Sequence, residues 1–571
     1  MLSTMQDEPL SLATLLRYAA TVQSAATVST WTGTSLRTIS FGELGEQAAR
    51  LANALRGLGV GIGDRVATFM WNNNEHQIAY IAVPAMGAVL HALNIRLPGP
   101  QLSYTANHAA DQAVIVDGTL IAQFARCLPA LTTVRHVIVV NGDPASLEAP
   151  AGVTVHGWDG LLAAEASSYD FPVLDERSAA GMCYTSGTTG DPQGVVYSHR
   201  SNWLHAMQVL TPLGMSLSGE DTGLAVVPMF HANAWGLPYA ALMSGTSLVM
   251  PGRFLQPEGL LAIMASSRPT FAAAVPTIWS GVLARLEQAP QDISHLRAVV
   301  VGGAAAPPAM MLAFEERHQV RVLHAWGMTE TSPLGSVAHP PAGVSGAAAW
   351  AYRVTQGRFP AAVQARLTDE DGAVRPNDGT AVGELEVRGP WIAGAYYKPA
   401  EPGGPAETDQ DRFRDGWLRT GDIATITPDG YLTLVDRAKD VIKSGGEWIA
   451  SVDLENLVME HPAVAEAAVI GVPDERWDER PLVFVVRRDG AAAAPEELRQ
   501  FLADKVARWQ LPERWAFVDG LPKTQRREIR QEGASRQLRR RCRRRRPAAL
   551  RPNCTETGSH PCPNQPARPR A

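Results

Sequence analysis

Between Tyr184 and Val195 the chain reads YTSGTTGDPQGV. Three glycines (Gly187, Gly190, Gly194) and four hydroxyl side chains (Thr185, Ser186, Thr188, Thr189) crowd into this run. Glycine lets a backbone turn tightly and approach a ligand, and clustered N–H and O–H donors suit phosphate oxygens. No Gly-Lys-Ser/Thr closes the run, so it is not the Walker A pattern. Such compositions more often make plain surface loops. What lifts this one is the apolar, strand-like Gly181-Met182-Cys183-Tyr184 directly ahead of it. Two further places have the right residue types for a nucleotide. Asp422, after Thr420-Gly421, can accept two hydrogen bonds from a sugar diol, although an Asp beside Gly is commonly a turn residue. Trp326, before Gly327, offers a flat face to a base, and Gly302-Gly303 lets backbone approach the other face. A lone Trp is more often core.

The elements that must position these residues alternate. Helical spacing runs through FGELGEQAARLANALRGLGV from Phe41, His76–Leu90, Leu102–Ala109 and Leu120–Cys127. Strands are expected at Arg65–Met70, Ala113–Val116, His136–Val140, Leu224–Val227, Ser247–Met250, Phe271–Ala274, Ala298–Val301 and Val320–His324. Ser198–Ser201 leads into a further candidate helix. Repeated β–α–β with continuous apolar strands implies parallel sheets covered by helices on both faces, with ligands at the carboxyl ends of the strands. From Val363 to Leu434, turn pairs such as Asp371-Gly372 and Asp429-Gly430 separate short alternating strands, including Gly383–Arg388, as in a small antiparallel β region. Beyond Arg437 an α+β unit is expected, with helices at Val452–His461 and Glu496–Ala507 and strands at Val464–Val472 and Leu482–Arg487. The fold class is therefore α/β: a large N-terminal domain, residues 1–436, and a smaller, mobile α+β C-terminal domain, residues 437–524.

At 571 residues the chain is too long for one core. Hydrophobic residues at 45% and charged residues at 19% describe an ordinary soluble protein. No basic segment precedes an apolar core at the N-terminus, and the run around Ile78–Leu93 is broken by Pro84 and His91. No transmembrane segment is expected, and the cytoplasm is the default location. Five cysteines lack paired spacing; Cys127 and Cys183 read as core thiols. The net charge of −6 is uneven: from Gln525 onward fourteen Arg and three Glu give +11, leaving −17 elsewhere.

Taken together, the motifs resemble the adenylate-forming (AMP-binding) enzymes, and within them the medium- and long-chain fatty acyl-CoA synthetases. The segments occur in that superfamily's order: Thr185–Gly194, VVPMFHANAWGLPY (Val226–Tyr239), VGGAAAP (Val301–Pro307), AWGMTET (Ala325–Thr331), RTGD (Arg419–Asp422) and DRAKDVIKSGGEWIA (Asp436–Ala450). Each alone is weak; their agreement in order is not. The resemblance implies a two-step ligase in which a carboxylate attacks the α-phosphate of ATP and CoA thiolate then displaces AMP. It implies that Thr185, Ser186, Gly187, Thr188, Thr189 and Gly190 hold phosphates, and that Gly302, Gly303, Ala304, Trp326, Gly327 and Met328 form the adenine site. Thr329 contacts phosphate, Glu330 holds Mg²⁺, and Asp422 takes the ribose with Arg437 in support. Lys439 is the domain hinge, Gly445-Gly446 is the glycine segment that approaches the thiol tunnel, and Lys443 and Gly445 are cofactor contacts. His231 and Trp235 line the acyl pocket, where no Asp awaits an amino acid's ammonium. The implied substrates are a fatty acid, ATP and CoA; nucleic acid is not expected as a partner, and a homodimer and peripheral membrane contact stay open. Two alternatives also stay open: an aryl-acid or acyl-carrier ligase of the same fold, and a nucleotide- or acyl-binding pseudoenzyme.

Two departures bear on activity. Gln193 stands where the superfamily's phosphate loop carries Lys. After Pro522-Lys523-Thr524 the superfamily continues Ser-Val-Gly-Lys, whose lysine bridges the acyl carboxylate and phosphate; here Gln525-Arg526-Arg527-Glu528 follows, with Glu528 at the lysine's place. Reading these codons one base forward permits Ser-Val-Gly-Lys. Residues 525–571 are therefore read as an out-of-frame, disordered tail, rich in Arg and Pro and holding Cys542, Cys554 and Cys562. The rival reading is a basic arm for RNA or anionic lipid.

Overall fold

The computed structural model describes residues 3–185, 191–399, 411–437, 441–444, 447–474, 477–488 and 490–521. Three sheets organise them. The first has seven strands, in the spatial order Thr154–Gly157, His136–Val140, Asp111–Asp117, Arg65–Phe69, Val89–Ala92, Ala179–Tyr184 and Gly194–Ser198. All neighbours are parallel except the last pair, which folds back antiparallel around the glycine-rich loop. The apolar strand runs (AVIV, HVIVV) are buried on both faces, as a parallel sheet sandwiched by helices requires.

The second sheet has a parallel centre: Ser247–Met250, Thr222–Leu224, Phe271–Ala274, Ala298–Val301 and Arg321–Gly327. It turns antiparallel at Leu334–Val337 and continues through Gly357–Arg358, Tyr431–Arg437, Trp417–Ile426, Gly383–Arg388 and Gln364–Thr368. The β region expected at Val363–Leu434 is thus an extension of the main sheet, and this continuity carries Asp422 to Trp326. The third sheet pairs Val464–Asp474 with Asp478–Arg487 and packs against the helices Ser451–Met459 and Pro495–Ala503. This is the mixed α/β architecture with a smaller C-terminal unit expected from the sequence.

Local departures have identifiable causes. The helix read over His76–Leu90 is Asn74–Ala85; Gly87, at φ +93°, ends the turn and Val89–Ala92 becomes a strand. The strand read at Leu224–Val227 is Thr222–Leu224. The helix expected from Leu120 shrinks to a 3₁₀ turn, Gly118–Leu120, and Ile121–Phe124. Ser198 does start a helix, His199–Leu210, its hydroxyl capping Ser201 N–H at 3.0 Å.

Candidate active site

The two ends of the glycine-rich loop are tied at its neck. Thr185 N–H donates to Gln193 O at 2.9 Å, and Gln193 N–H donates to Thr185 Oγ1 at 3.0 Å. Below the neck, Tyr184 OH meets His108 Nδ1 at 2.7 Å, and Tyr397 N–H donates to Gly194 O at 2.7 Å. Gln193 does not reach outward: its amide donates to Asp191 O, at 3.1 Å, within the same loop. Ser186, Gly187, Thr188, Thr189 and Gly190 lie outside the described residues.

Across the cleft, the strand Arg321–Gly327 delivers Trp326 and, through a 3₁₀ turn at Thr329–Thr331, Glu330. Gly327 permits that turn, since a Cβ there would lie 1.7 Å from Pro333 O. Tyr197 OH donates to Thr329 O at 2.9 Å, and Ala393 N–H to Glu330 O at 2.8 Å, fixing the turn from two sides. The Glu330 side chain is 4% exposed; Tyr396 OH donates to its Oε1 at 2.6 Å and Arg412 Nη2 stands 3.7 Å away. Burial pushes the Tyr396 phenol pKa well up, with Glu330 adding to the rise, so the phenol stays a donor.

Asp422 and Arg437 are paired residues on the adjacent strands Trp417–Ile426 and Tyr431–Arg437. Arg437 Nε holds Asp422 Oδ1 at 2.8 Å, and Trp326 Nε1 donates to Oδ2 at 2.9 Å. Asp422 is 2% exposed, and burial raises its pKa despite the opposing pull of Arg437, Trp326 and Arg412. Trp326 itself is 6% exposed and packs edge-on to Phe359 at 6.0 Å. The residue singled out as a flat face for a base therefore also aims its polar edge at the Asp422 carboxylate.

The segment Ala232–Gly236 runs left-handed throughout, with φ of 40°, 56°, 48°, 57° and 78°. Each non-glycine residue in that region costs about 1–2 kcal/mol, so neighbours must hold it. Asn233 supplies part of that hold: Tyr80 OH and Cys183 Sγ donate to its Oδ1 at 3.4 and 3.7 Å, and its Nδ2 donates to Asn202 at 3.4 Å. Gly236 is required by space, because a Cβ would lie 2.5 Å from the His205 ring. The turn lays the Trp235 indole against Gly302, whose added Cβ would meet it at 3.2 Å. A cavity of about 90 Å³ opens there, lined by Val227, His231, Trp235, Val275, Ile278 and Thr329 among others. His231 and Trp235, picked from sequence, border this cavity together with Gly302, Gly303, Trp326, Gly327 and Met328. Ala304 is exposed beside it.

Lys439 and Gly445 lie outside the described residues, as does the Lys443 side chain, although its backbone joins the strand Ile442–Ser444. Gln525, Glu528 and the tail also lie outside them. Among the described residues no group of three His, Cys, Asp or Glu converges to cage a metal. A single carboxylate such as Glu330 suits Mg²⁺, which keeps waters and takes its other ligands from substrate phosphates. Sequence reasoning missed Tyr396, Arg412, Tyr197 and His108. Each sits in a segment with no motif, and only the fold brings it to the site.

Residues 16–397 match the family model "AMP-binding enzyme", and residues 453–527 match "AMP-binding enzyme C-terminal domain". The chain is 42% identical to the 3-methylmercaptopropionyl-CoA ligase of Ruegeria pomeroyi, across 91% of this chain and 96% of that one. It is 43% identical to the long-chain-fatty-acid–CoA ligase of Thermus thermophilus, across 91% and 94%. Among solved structures, the anthranilate CoA ligase AuaEII in complex with anthranoyl-AMP superposes with a TM-score of 0.82 at 24% identity, covering 94% of this chain and all of that one.

Proposed function

From the premise that this chain belongs to the AMP-binding enzymes and is an ATP-dependent acid–CoA ligase, we propose that its acid is a medium- or long-chain fatty acid. The family uses ATP, Mg²⁺ and CoA. The observation that carries the choice of acid is the cavity wall. From Trp235 to Ile278 it is apolar, and among the described residues no carboxylate lines it to pair an amino acid's ammonium. A second reading has its own support. Trp235, lying against Gly302, walls off part of the cavity, which suits a shorter acid such as a thioether propionate of the kind named for the Ruegeria relative.

The residues divide the work as follows. Asp422, held by Arg437 and Trp326, accepts hydrogen bonds from the ribose diol. Gly302, Gly303, Ala304, Gly327 and Met328 leave room for the adenine. Thr185 and Ser186–Gly190 present donors to the phosphates, and Thr329 adds one. Glu330 would hold Mg²⁺, which supplies charge neutralisation on those phosphates. His231 and Trp235 border the acyl chain where its carboxylate meets the α-phosphate. Little covalent chemistry falls to the protein; it aligns carboxylate and phosphate and offsets charge as the acyl–phosphate bond forms and pyrophosphate leaves. Lys439 serves as hinge between a body of residues 1–436 and a C-terminal unit of residues 437–524, which returns Lys443 and Gly445 to the cleft for thioester formation.

The test is kcat/KM for thioester formation across butyrate, octanoate, dodecanoate, palmitate and 3-(methylthio)propionate. A maximum at eight carbons or beyond supports the fatty-acid reading. A maximum at the thioether acid or butyrate replaces it with the second.

A further inference from the structure

The guanidinium of Arg412 neighbours two carboxylates, Glu330 and Asp422. Its Nη2 is 3.7 Å from Glu330 Oε1, and its charge acts on Asp422 as well. Its Nη1 rests over Gly421, where an added Cβ would approach it to 3.1 Å. Tyr396, which donates to Glu330 at 2.6 Å, also bonds the guanidinium, and Tyr396 in turn packs edge-on against Phe413 at 5.1 Å. Arg412 N–C=O is fixed too, its carbonyl accepting from Arg419 N–H at 2.9 Å. The side chain is 26% exposed, so it is packed without being sealed from the cleft.

We propose that Arg412 binds the α-phosphate of the nucleotide, so that its charge serves the acyl-adenylate as it forms. The inference rests on the reading of Asp422 as the ribose site and Glu330 as the metal-side carboxylate. A nucleotide with its diol on Asp422 and its phosphate chain running to Glu330 carries its first phosphate past a group that neighbours both. A planar fork of five N–H donors can serve a phosphate as well as a neighbouring phenol. At 3.7 Å, the Glu330 contact is an ion pair longer than a hydrogen bond. Gln193 sharpens the need: the loop position that carries Lys in the superfamily is neutral here, and its amide is turned onto Asp191 O. A fixed cation at the α-phosphate also stands where charge accumulates as the carboxylate attacks, the place where preorganised charge counts most. Gly421 acquires a reason beyond its φ of +71°: a side chain there would press on the guanidinium, at 3.1 Å from Nη1.

The test is equilibrium binding by calorimetry of adenosine, AMP and Mg·ATP, with no acid or CoA present, to the full chain and to Arg412→Gln, Arg412→Lys and Asp422→Asn. Adenosine should bind Arg412→Gln as it binds the parent. AMP should bind it about tenfold or more weakly, the loss expected for one charged hydrogen bond to phosphate, and Arg412→Lys should recover part of that loss. Asp422→Asn should weaken all three ligands; if it leaves adenosine untouched, the ribose assignment fails independently of Arg412. Equal weakening of adenosine and AMP by Arg412→Gln, or unchanged AMP binding, overturns the proposal. A thermal melt of each variant separates misfolding from a binding effect, and Arg412→Lys keeps the question open to measurement should the Gln variant unfold.

Discussion

Trp326 donates its indole N–H to Asp422 Oδ2 at 2.9 Å, from a strand 96 residues away in sequence. With Arg437 on Oδ1, the carboxylate is held at both oxygens before any ligand arrives. Trp326→Phe keeps the ring and deletes the donor. A hydrogen bond to a charged acceptor is worth about 1.5–3 kcal/mol, so the variant should melt lower. With Asp422 less firmly oriented, adenosine and AMP should both bind about threefold to tenfold more weakly. Calorimetric titration of both ligands checks this, and an effect on AMP alone would contradict the ribose assignment.

Gln193→Lys restores a cation at the loop. Gln193 is exposed and, among the described residues, its side chain bonds Asp191 O within its own loop, so a lysine can extend without disturbing the neck bonds at Thr185. The ATP KM should fall, by a few-fold to about tenfold for a charged contact to phosphate. An unchanged or higher KM would mean that the neutral residue is not limiting.

The sequence made much of this site legible because its signals are local. Asp422, Glu330 and the glycine-rich loop are each announced by neighbours of fixed type, and strands such as His136–Val140 and Ala298–Val301 by unbroken apolar runs. Arg412 and Tyr396 have no such signature. Arg412 sits in a charged stretch, DQDRFRDG, that reads as solvated surface, and its meeting with Glu330 is made by strand pairing over 82 residues of chain. The left-handed turn at Ala232–Gly236 was equally hidden. Its conformation is imposed by Asn233 and His205 contacts, against the preference of three of its own residues.

Gly236→Ala tests that turn. The residue has φ +78° and no space, with the His205 ring 2.5 Å from an added Cβ. Left-handed strain and the clash together should cost about 1–3 kcal/mol. Because the turn places Trp235 at the cavity proposed for the acyl chain, kcat/KM for the acid should drop while adenosine affinity stays near the parent value. Loss of both would mark general unfolding, which a melt would reveal.

Four buried histidines set a pH dependence of stability. Burial lowers the pKa of His205 to about 3 and those of His76, His199 and His324 to about 4. Three of them accept backbone N–H groups: His205 from Leu334 at 3.1 Å, His199 from Leu12 at 3.2 Å and His324 from Ala306 at 3.2 Å. The unfolded chain protonates near pH 6.5, so below that pH it binds more protons than the fold. Stability is complete above pH 6.5 and declines as pH falls toward 4, by about 1.4 kcal/mol per pH unit for each histidine. Asp111 and Asp422, whose pKa values burial raises, act in the opposite sense and flatten the acid end. Melting temperatures should hold level above about pH 6.5 and fall steadily from there to pH 5; a flat profile across that lower range would contradict the neutral histidines.

The two halves of the reaction should respond differently to the C-terminus. By the superfamily resemblance, a lysine at the place of Glu528 bridges carboxylate and phosphate in adenylation, and an acid there repels both. Shifting the reading frame by one base from Gln525 permits Ser-Val-Gly-Lys, and the variant to build carries those four residues at positions 525–528. That variant should release pyrophosphate from ATP and octanoate about a hundredfold faster than the chain as written, the scale for one charge-stabilising group in a transition state. Thioester formation from pre-made octanoyl-adenylate and CoA does not use that lysine and should change little. Arg412 should matter to both, since the α-phosphate is present throughout: Arg412→Gln should slow the adenylate-to-thioester half as well, by leaving the departing AMP without its cation. If the frame change raised both halves equally, the lysine's place would be misassigned and residues 525–571 would need another account. Sequencing the gene across Thr524–Gln525 supplies the independent check, because a confirmed frame would make the basic tail a real segment of the protein.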